Sequence, residues 1–176
     1  MSVSGITEIT QYLTFKLDDE TFAVDISKVR EVLDFTTITK VPQTPDFMRG
    51  VINLRGSVVP VVDMKLKFGM SKTDRTVNTC IIIVEVTLDG EAAILGALAD
   101  SVQEVIELDP DNIEPAPRIG MRLRTDFIKG MGKRDGRFIM ILDIDSIFSY
   151  DELSLVQAAG GNMPSGKGVV EAAAEA

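Results

Sequence analysis

Apolar and polar residues alternate with a period of two along much of this chain, and turn residues interrupt the alternation at short intervals. Residues 12–17 alternate up to the Asp18-Asp19-Glu20 turn and residues 21–24 resume the pattern, which predicts a hairpin. Val51-Ile52-Asn53-Leu54 and residues 58–62 flank Arg55-Gly56-Ser57 as a second hairpin. Residues 80–86 and 92–98 flank Leu88-Asp89-Gly90 as a third, and residues 138–142 follow a turn at 133–136. Helical periodicity is brief: residues 26–32 read as a turn of helix and residues 150–159 as a terminal one. Pro60 lies inside an apolar run and marks its strand as an edge strand or a bulged one. Short strands with regular turns predict a mainly β barrel or sandwich.

Beyond Ala158 the pattern stops. Residues 159–168 are Gly-rich and residues 169–176 are rich in Ala and Glu, so 156–176 reads as a flexible tail.

The chain also repeats itself. Asp46-Phe47-Met48-Arg49-Gly50 returns as Asp126-Phe127-Ile128-Lys129-Gly130, 80 positions later. The same offset pairs Gly56 with Gly136, Val59 with Ile139, Asp63 with Asp143 and Phe68 with Phe148. Upstream, Val29-Arg30-Glu31-Val32 echoes in Val102-Gln103-Glu104-Val105, and residues 38–42 echo in 113–117. Ordered matches along both halves imply a duplication, hence two similar β units packed as a pseudo-symmetric pair with a boundary near 80–90. The groove between such units is a natural place for a partner.

Composition narrows the chemistry. Of 176 residues 45% are hydrophobic and none is histidine, which removes His-based triads, HExxH metal sites and the commonest general base. One cysteine excludes an internal disulfide, and Cys80, opening the run Cys80-Ile81-Ile82-Ile83-Val84, reads as core. The net charge of −9 opposes a general nucleic-acid binder. Charge is segregated, however: residues 77–117 hold nine carboxylates and no Lys or Arg, whereas residues 118–137 hold seven basic side chains. Such juxtaposition suits steering toward protein partners. No apolar run approaches the ~20 residues of a membrane helix, and the polar N-terminus is not a signal peptide, so a cytoplasmic location is expected.

Candidate motifs mostly dissolve on inspection. Residues 161–168 approximate a phosphate-binding loop but lack its final Ser or Thr and follow no strand. Asp109-Pro110-Asp111 lacks the register of a calcium loop and reads as a solvated turn. Asp63 and Asp143 end equivalent strands, which assigns them to capping the next turn rather than, with Asp145, to catalysis. The basic strip 118–137 carries Phe127 and Phe138, but these repeat Phe47 and Val58 and so read as core, not base-stacking, positions. Arg55 is different: it sits at a hairpin turn between apolar strands, where pairing with Glu31 would hold a charge at the rim of an apolar surface.

Residues 11–155 closely resemble CheW, the bacterial chemotaxis coupling family. The carrying segments are Tyr12-Leu13-Thr14-Phe15, Phe22-Ala23-Val24-Asp25-Ile26, Lys28-Val29-Arg30-Glu31-Val32-Leu33, Gly50-Val51-Ile52-Asn53-Leu54-Arg55-Gly56, Val59-Pro60-Val61-Val62-Asp63 and Gly96-Ala97-Leu98-Ala99-Asp100-Ser101-Val102. The resemblance implies two packed SH3-like five-stranded β-barrels with short helices, no catalysis and no cofactor or metal. It implies a stand-alone adaptor between the cytoplasmic tips of chemoreceptors and a CheA-type histidine kinase, touching the membrane only through receptors. A receptor helical tip would lie in the groove between barrels, and the kinase would bind through its own CheW-like regulatory domain, barrel to barrel. By the same resemblance Glu31 and Arg55 match a structural and functional salt bridge, and Val29, Gly50 and Gly56 match receptor- or kinase-contact positions. Val102, the duplicate of Val29, extends the site into the second half.

Overall fold

The computed structural model describes residues 6–88, 90–115 and 127–147. β1 (Thr10–Leu17) and β2 (Glu20–Asp25) form the first hairpin. A 3-10 turn over Ile26–Lys28 follows, capped by the Asp25 carboxylate accepting from the Ser27 N–H, and leads into β3 (Val29–Asp34). The helix expected at 26–32 is only that turn. Burial along β3 alternates with period two, and β-branched Val29 and Val32 favour the strand. β4 (Met48–Leu54) and β5 (Ser57–Asp63) are the second hairpin, and β6 (Cys80–Leu88) and β7 (Glu91–Ala99) the third. β8 (Ser101–Leu108), β9 (Ile113–Glu114), β10 (Ile128–Arg134) and β11 (Arg137–Leu142) complete the strands. Single-turn helices α1 (Met64–Lys67) and α2 (Ile144–Ile147) follow β5 and β11. The terminal helix expected at 150–159, the tail and the phosphate-loop-like stretch lie outside the described residues.

The strands make two sheets, ordered β3-β6-β7-β5-β4 and β8-β1-β2-β11-β10-β9. The duplication governs both. Val32 pairs with Ile82 as Val105 pairs with Leu13, Leu33 with Ile81 as Ile106 with Tyr12, and Leu54 with Ser57 as Arg134 with Arg137. The register shift at Arg49 in β4 recurs at Lys129 in β10, and the carbonyls of Phe47 and Phe127 accept from Asp63 and Asp143 at 2.6 and 2.8 Å. The sheets hold five and six strands rather than five each, because β9 has only the Thr39–Val51 bridge as its counterpart.

The repeats exchange hairpins. β1–β2, from the first repeat, completes the second sheet, and β6–β7, from the second repeat, completes the first. A single cut near 80–90 therefore marks where the second repeat starts, at β6, but separates neither sheet. Pro60 stands in an interior strand, not at an edge; the parallel ladder of β5 with β7 begins just after it, at Val61.

Each sheet has its own small cluster, with Ile52, Val61, Ile81 and Leu98 in the first and Tyr12, Ile106, Ile139 and Ile141 in the second. The largest cluster belongs to both. Phe15, Phe22, Phe68 and Phe127 form a chain of ring contacts with centroids 6.0, 5.9 and 5.8 Å apart, surrounded by Leu17, Val84, Leu95, Leu142 and Ile147. The centre of the contact between units is thus solid apolar core, and partly buried Val29, Phe47, Val102 and Met131 pack against it.

Equivalent ion pairs flank that core with reversed polarity. Lys65 of α1, nearly buried, reaches Asp18 in the β1–β2 turn at 2.6 Å and Asp100 at 3.3 Å. Asp145, its repeat partner on α2, binds Lys28 at 2.9 Å and the Thr87 N–H at 2.8 Å near the β6–β7 turn. Burial pulls the Lys65 ammonium down, but its hydrogen bonds to Asp18 and Asp100 outweigh that and hold its pKa above the ordinary lysine value. Asp63 is fully buried and caps α1, accepting from the backbone N–H groups of Lys65, Leu66 and Thr73, from the Thr73 hydroxyl and from Arg49. So many donors satisfy a buried carboxylate structurally, and the capping role expected of Asp63 holds.

Candidate functional site: the Glu31–Arg55 bridge

β3 and β4 are the two edges of the first sheet. Glu31 projects from β3, and Arg55 sits at the tip of the β4–β5 hairpin. The tip is a two-residue loop with φ +51° at Arg55 and +89° at Gly56, the pair of left-handed residues that a type I′ turn requires. Asn53 locks it: its side-chain oxygen accepts the Gly56 N–H at 2.8 Å. The guanidinium then meets the Glu31 carboxylate through both nitrogens, one at 3.4 Å and the other closer, a fork-to-fork pair. Opposite edges of one sheet are tied by side chains where no backbone ladder joins them.

The pair is electrostatically self-consistent. The hydrogen bond from Arg55, opposed by desolvation and aided by its charge, holds the Glu31 carboxyl below the ordinary glutamate range; Arg55 is correspondingly raised. Arg55 is 71% exposed, so solvent screens the bridge and it contributes little stability. Its value is to fix a charged group in place on the surface. Beside it, Arg30 of β3 pairs with Glu85 of β6.

The corresponding place in the second sheet is different. Repeat register sets Glu104 against Glu31 and Asp135 against Arg55. Two carboxylates cannot bridge, and both instead line an open depression of about 490 Å³ with Lys16, Gln103, Arg137 and half-exposed Phe138. The repeat offsets already set Glu104 at the place of Glu31 and Asp135 at the place of Arg55 along the chain; the structure adds that both line one depression.

The other expected site residues divide. Gly56 belongs to the same turn as Arg55, and Val29 lies two residues from Glu31 on β3. Val29 and Val102 occupy equivalent places at the margin of the shared core, on different sheets. Gly50 has a backbone role: at φ +143° a Cβ there would stand 2.1 Å from the Thr39 carbonyl oxygen. The ion pairs of Arg30 and Lys65 leave no signal in the sequence pattern, since their partners lie 35 to 55 positions away along the chain.

Cys80 is half-buried at the start of β6 rather than core, its thiol pushed up by desolvation and donating toward the Asn78 carbonyl, which is not a reactive thiolate environment. Asp109 caps a 3-10 turn over Pro110–Asn112. Phe127 is core, but Phe138 is 53% exposed, so the expectation that both were core fails for the second; it faces outward on β11 against Lys133. Among the described residues no group of three His, Cys, Asp or Glu could hold a metal, and no helix is long and apolar enough to cross a membrane.

Comparison with known proteins meets this geometry. The family model described as a CheW-like domain matches residues 11–152. The chain belongs to the CheW-like family. It is 33% identical over 154 residues to the chemotaxis protein CheW of Klebsiella aerogenes, covering 88% of this chain and 90% of that one. It is 34% identical over 140 residues to CheW of Thermotoga maritima, covering 78% and 86%. The crystal structure of the scaffolding protein TtCheW from Thermoanaerobacter tengcongensis superimposes with a TM-score of 0.71 at 36% identity, covering 81% of this chain and 94% of that one. The mainly β, SH3-like architecture is that of the CheW fold. CheW-like proteins of this kind are non-catalytic scaffolds, and this chain is not an enzyme.

Proposed function

We propose that this chain is a chemotaxis adaptor that couples chemoreceptors to a CheA-type histidine kinase. The observation that carries the reading is the Glu31–Arg55 bridge, a paired ionic surface on a CheW-like chain. The receptor's helical tip docks along the margin of the shared core, where Val29 and Val102 offer apolar contacts from both sheets. The kinase's regulatory domain docks barrel to barrel on the Glu31, Arg55 and Gly56 face. The protein works in the cytoplasm at receptor arrays and meets the membrane only through receptors.

A tagged chain used for pull-down from a lysate of its source organism tests this. Recovery of a chemoreceptor together with a CheA-type kinase is expected, with the kinase signal reduced by Arg55→Glu and by Glu31→Arg alone. The double variant restores the bridge in reverse; partial recovery of kinase binding identifies the bridge as a positioning device, and no recovery identifies the separate side chains as direct contacts. Capture of neither partner by folded chain overturns the proposal.

A further inference from the structure

One covalent connection joins the two repeats: residues 68–79, between α1 and β6. Everything else that unites them is non-covalent and reciprocal. Each repeat gives a hairpin to the other's sheet, the first gives Phe15, Phe22 and Phe68 and the second Phe127 to the shared core, and each gives one helix to an ion pair that reaches the other repeat. Completing either repeat thus requires the other repeat, but not the other repeat of the same chain.

The connection is built as a hinge. Its first part stays with repeat one, because the Thr73 N–H and hydroxyl donate to Asp63 at 2.9 and 2.7 Å and Arg49 donates to the Thr73 carbonyl at 3.0 Å. Its second part is a closed excursion in which the Thr79 hydroxyl donates to the Asp74 carbonyl at 3.1 Å and accepts from the Thr76 N–H at 2.8 Å. Residues 74–78 are exposed, Val77 almost completely, so the excursion carries no core side chain before Thr79. Opened, its six residues span up to about 20 Å without disturbing β5, α1 or β6.

We infer that two copies of this chain assemble by exchanging whole repeats across residues 74–79. In that dimer each pair of sheets combines repeat one of one copy with repeat two of the other. Every contact outside the hinge is retained, so concentration decides between the forms. The tethered repeat acts at an effective concentration on the order of 1 mM, and folding at dilution gives the monomer. The dimer presents the Glu31–Arg55 face twice on one hinged body, a bivalent scaffold.

The test places a cross-link between repeats. Gln11 and Glu107 are paired across β1 and β8, and both are exposed. The chain carrying Gln11→Cys, Glu107→Cys and Cys80→Ser is unfolded, refolded at ~10 μM, far below the tethered concentration, and at ~1 mM, where the two forms compete, and oxidised. Light scattering and non-reducing denaturing electrophoresis follow. The expected result is a monomer with an internal cross-link at dilution and, at high concentration, a dimer whose chains stay covalently joined after denaturation. Internally cross-linked monomers at both concentrations overturn the inference. So does a dimer that falls to internally cross-linked monomers on denaturation, which is surface association. If that variant does not fold, Lys16→Cys with Ser101→Cys, a second pair across the same strands, decides by the same readout.

Discussion

At the scale of single residues, the Glu31 carboxyl titrates below its ordinary value because Arg55 hydrogen-bonds its charged form. A depressed carboxylate pKa contributes stability that is fully present above the unfolded value, near 4.5, and is lost as pH falls through the folded one. The bridge is therefore intact across the neutral range and opens only in acid. A carbon-detected NMR titration should show Glu31 titrating below the ordinary glutamate value, and Arg55→Ala should return it toward that value; an unchanged titration would dissolve the bridge. The two site glycines separate by physics. Gly56→Ala strains a left-handed turn that has open space around it, costing about 1 kcal/mol, and the protein stays folded. Gly50→Ala adds a backbone clash with Thr39, and the cost rises to about 3 kcal/mol, read as the difference between the two denaturation midpoints. Loss of coupling in a Gly50 variant accordingly reports damage to the fold, whereas the same loss at Gly56 points to the surface.

At the scale of elements, the hairpins were legible because each is bounded by its own turn chemistry: Arg55-Gly56 and Asp135-Gly136 both supply adjacent positive φ angles. Their destinations were not, since hairpin pairing is local and sheet membership is not. Residues 26–32 show the same limit, where an apolar spacing compatible with helix lost to the β6 strand available for pairing. The exchange has a consequence for truncation. Removing residues 1–25 takes away β1 and β2, which stand between β8 and β11, so the second sheet loses its middle and the shared core loses Phe15 and Phe22. Circular dichroism of that variant should show loss of the cooperative transition. Retention of a native-like melt would show that the N-terminal hairpin is an accessory rather than the sheet's centre.

At the scale of the whole molecule, one core shared between the sheets couples them. The chain should unfold in a single transition, with calorimetric and van 't Hoff enthalpies in agreement, whereas two sheets with independent cores would melt in two steps. The 80-residue repeat, the three hairpins and the CheW-like segments were all present in the sequence, because turn residues, period-two alternation and duplicated motifs act over short distances along the chain. From them came the fold class, the family and the Glu31–Arg55 pairing. Only tertiary structure decided that the repeats trade hairpins and that the centre between the sheets is filled. Only the structure showed that the bridge spans the two edges of one sheet, and that Glu104 and Asp135, at the same two places of the repeat, line one open depression beside the other. Those outcomes depend on which distant surfaces bury one another and on which charges they bring within reach, and residue periodicity carries neither.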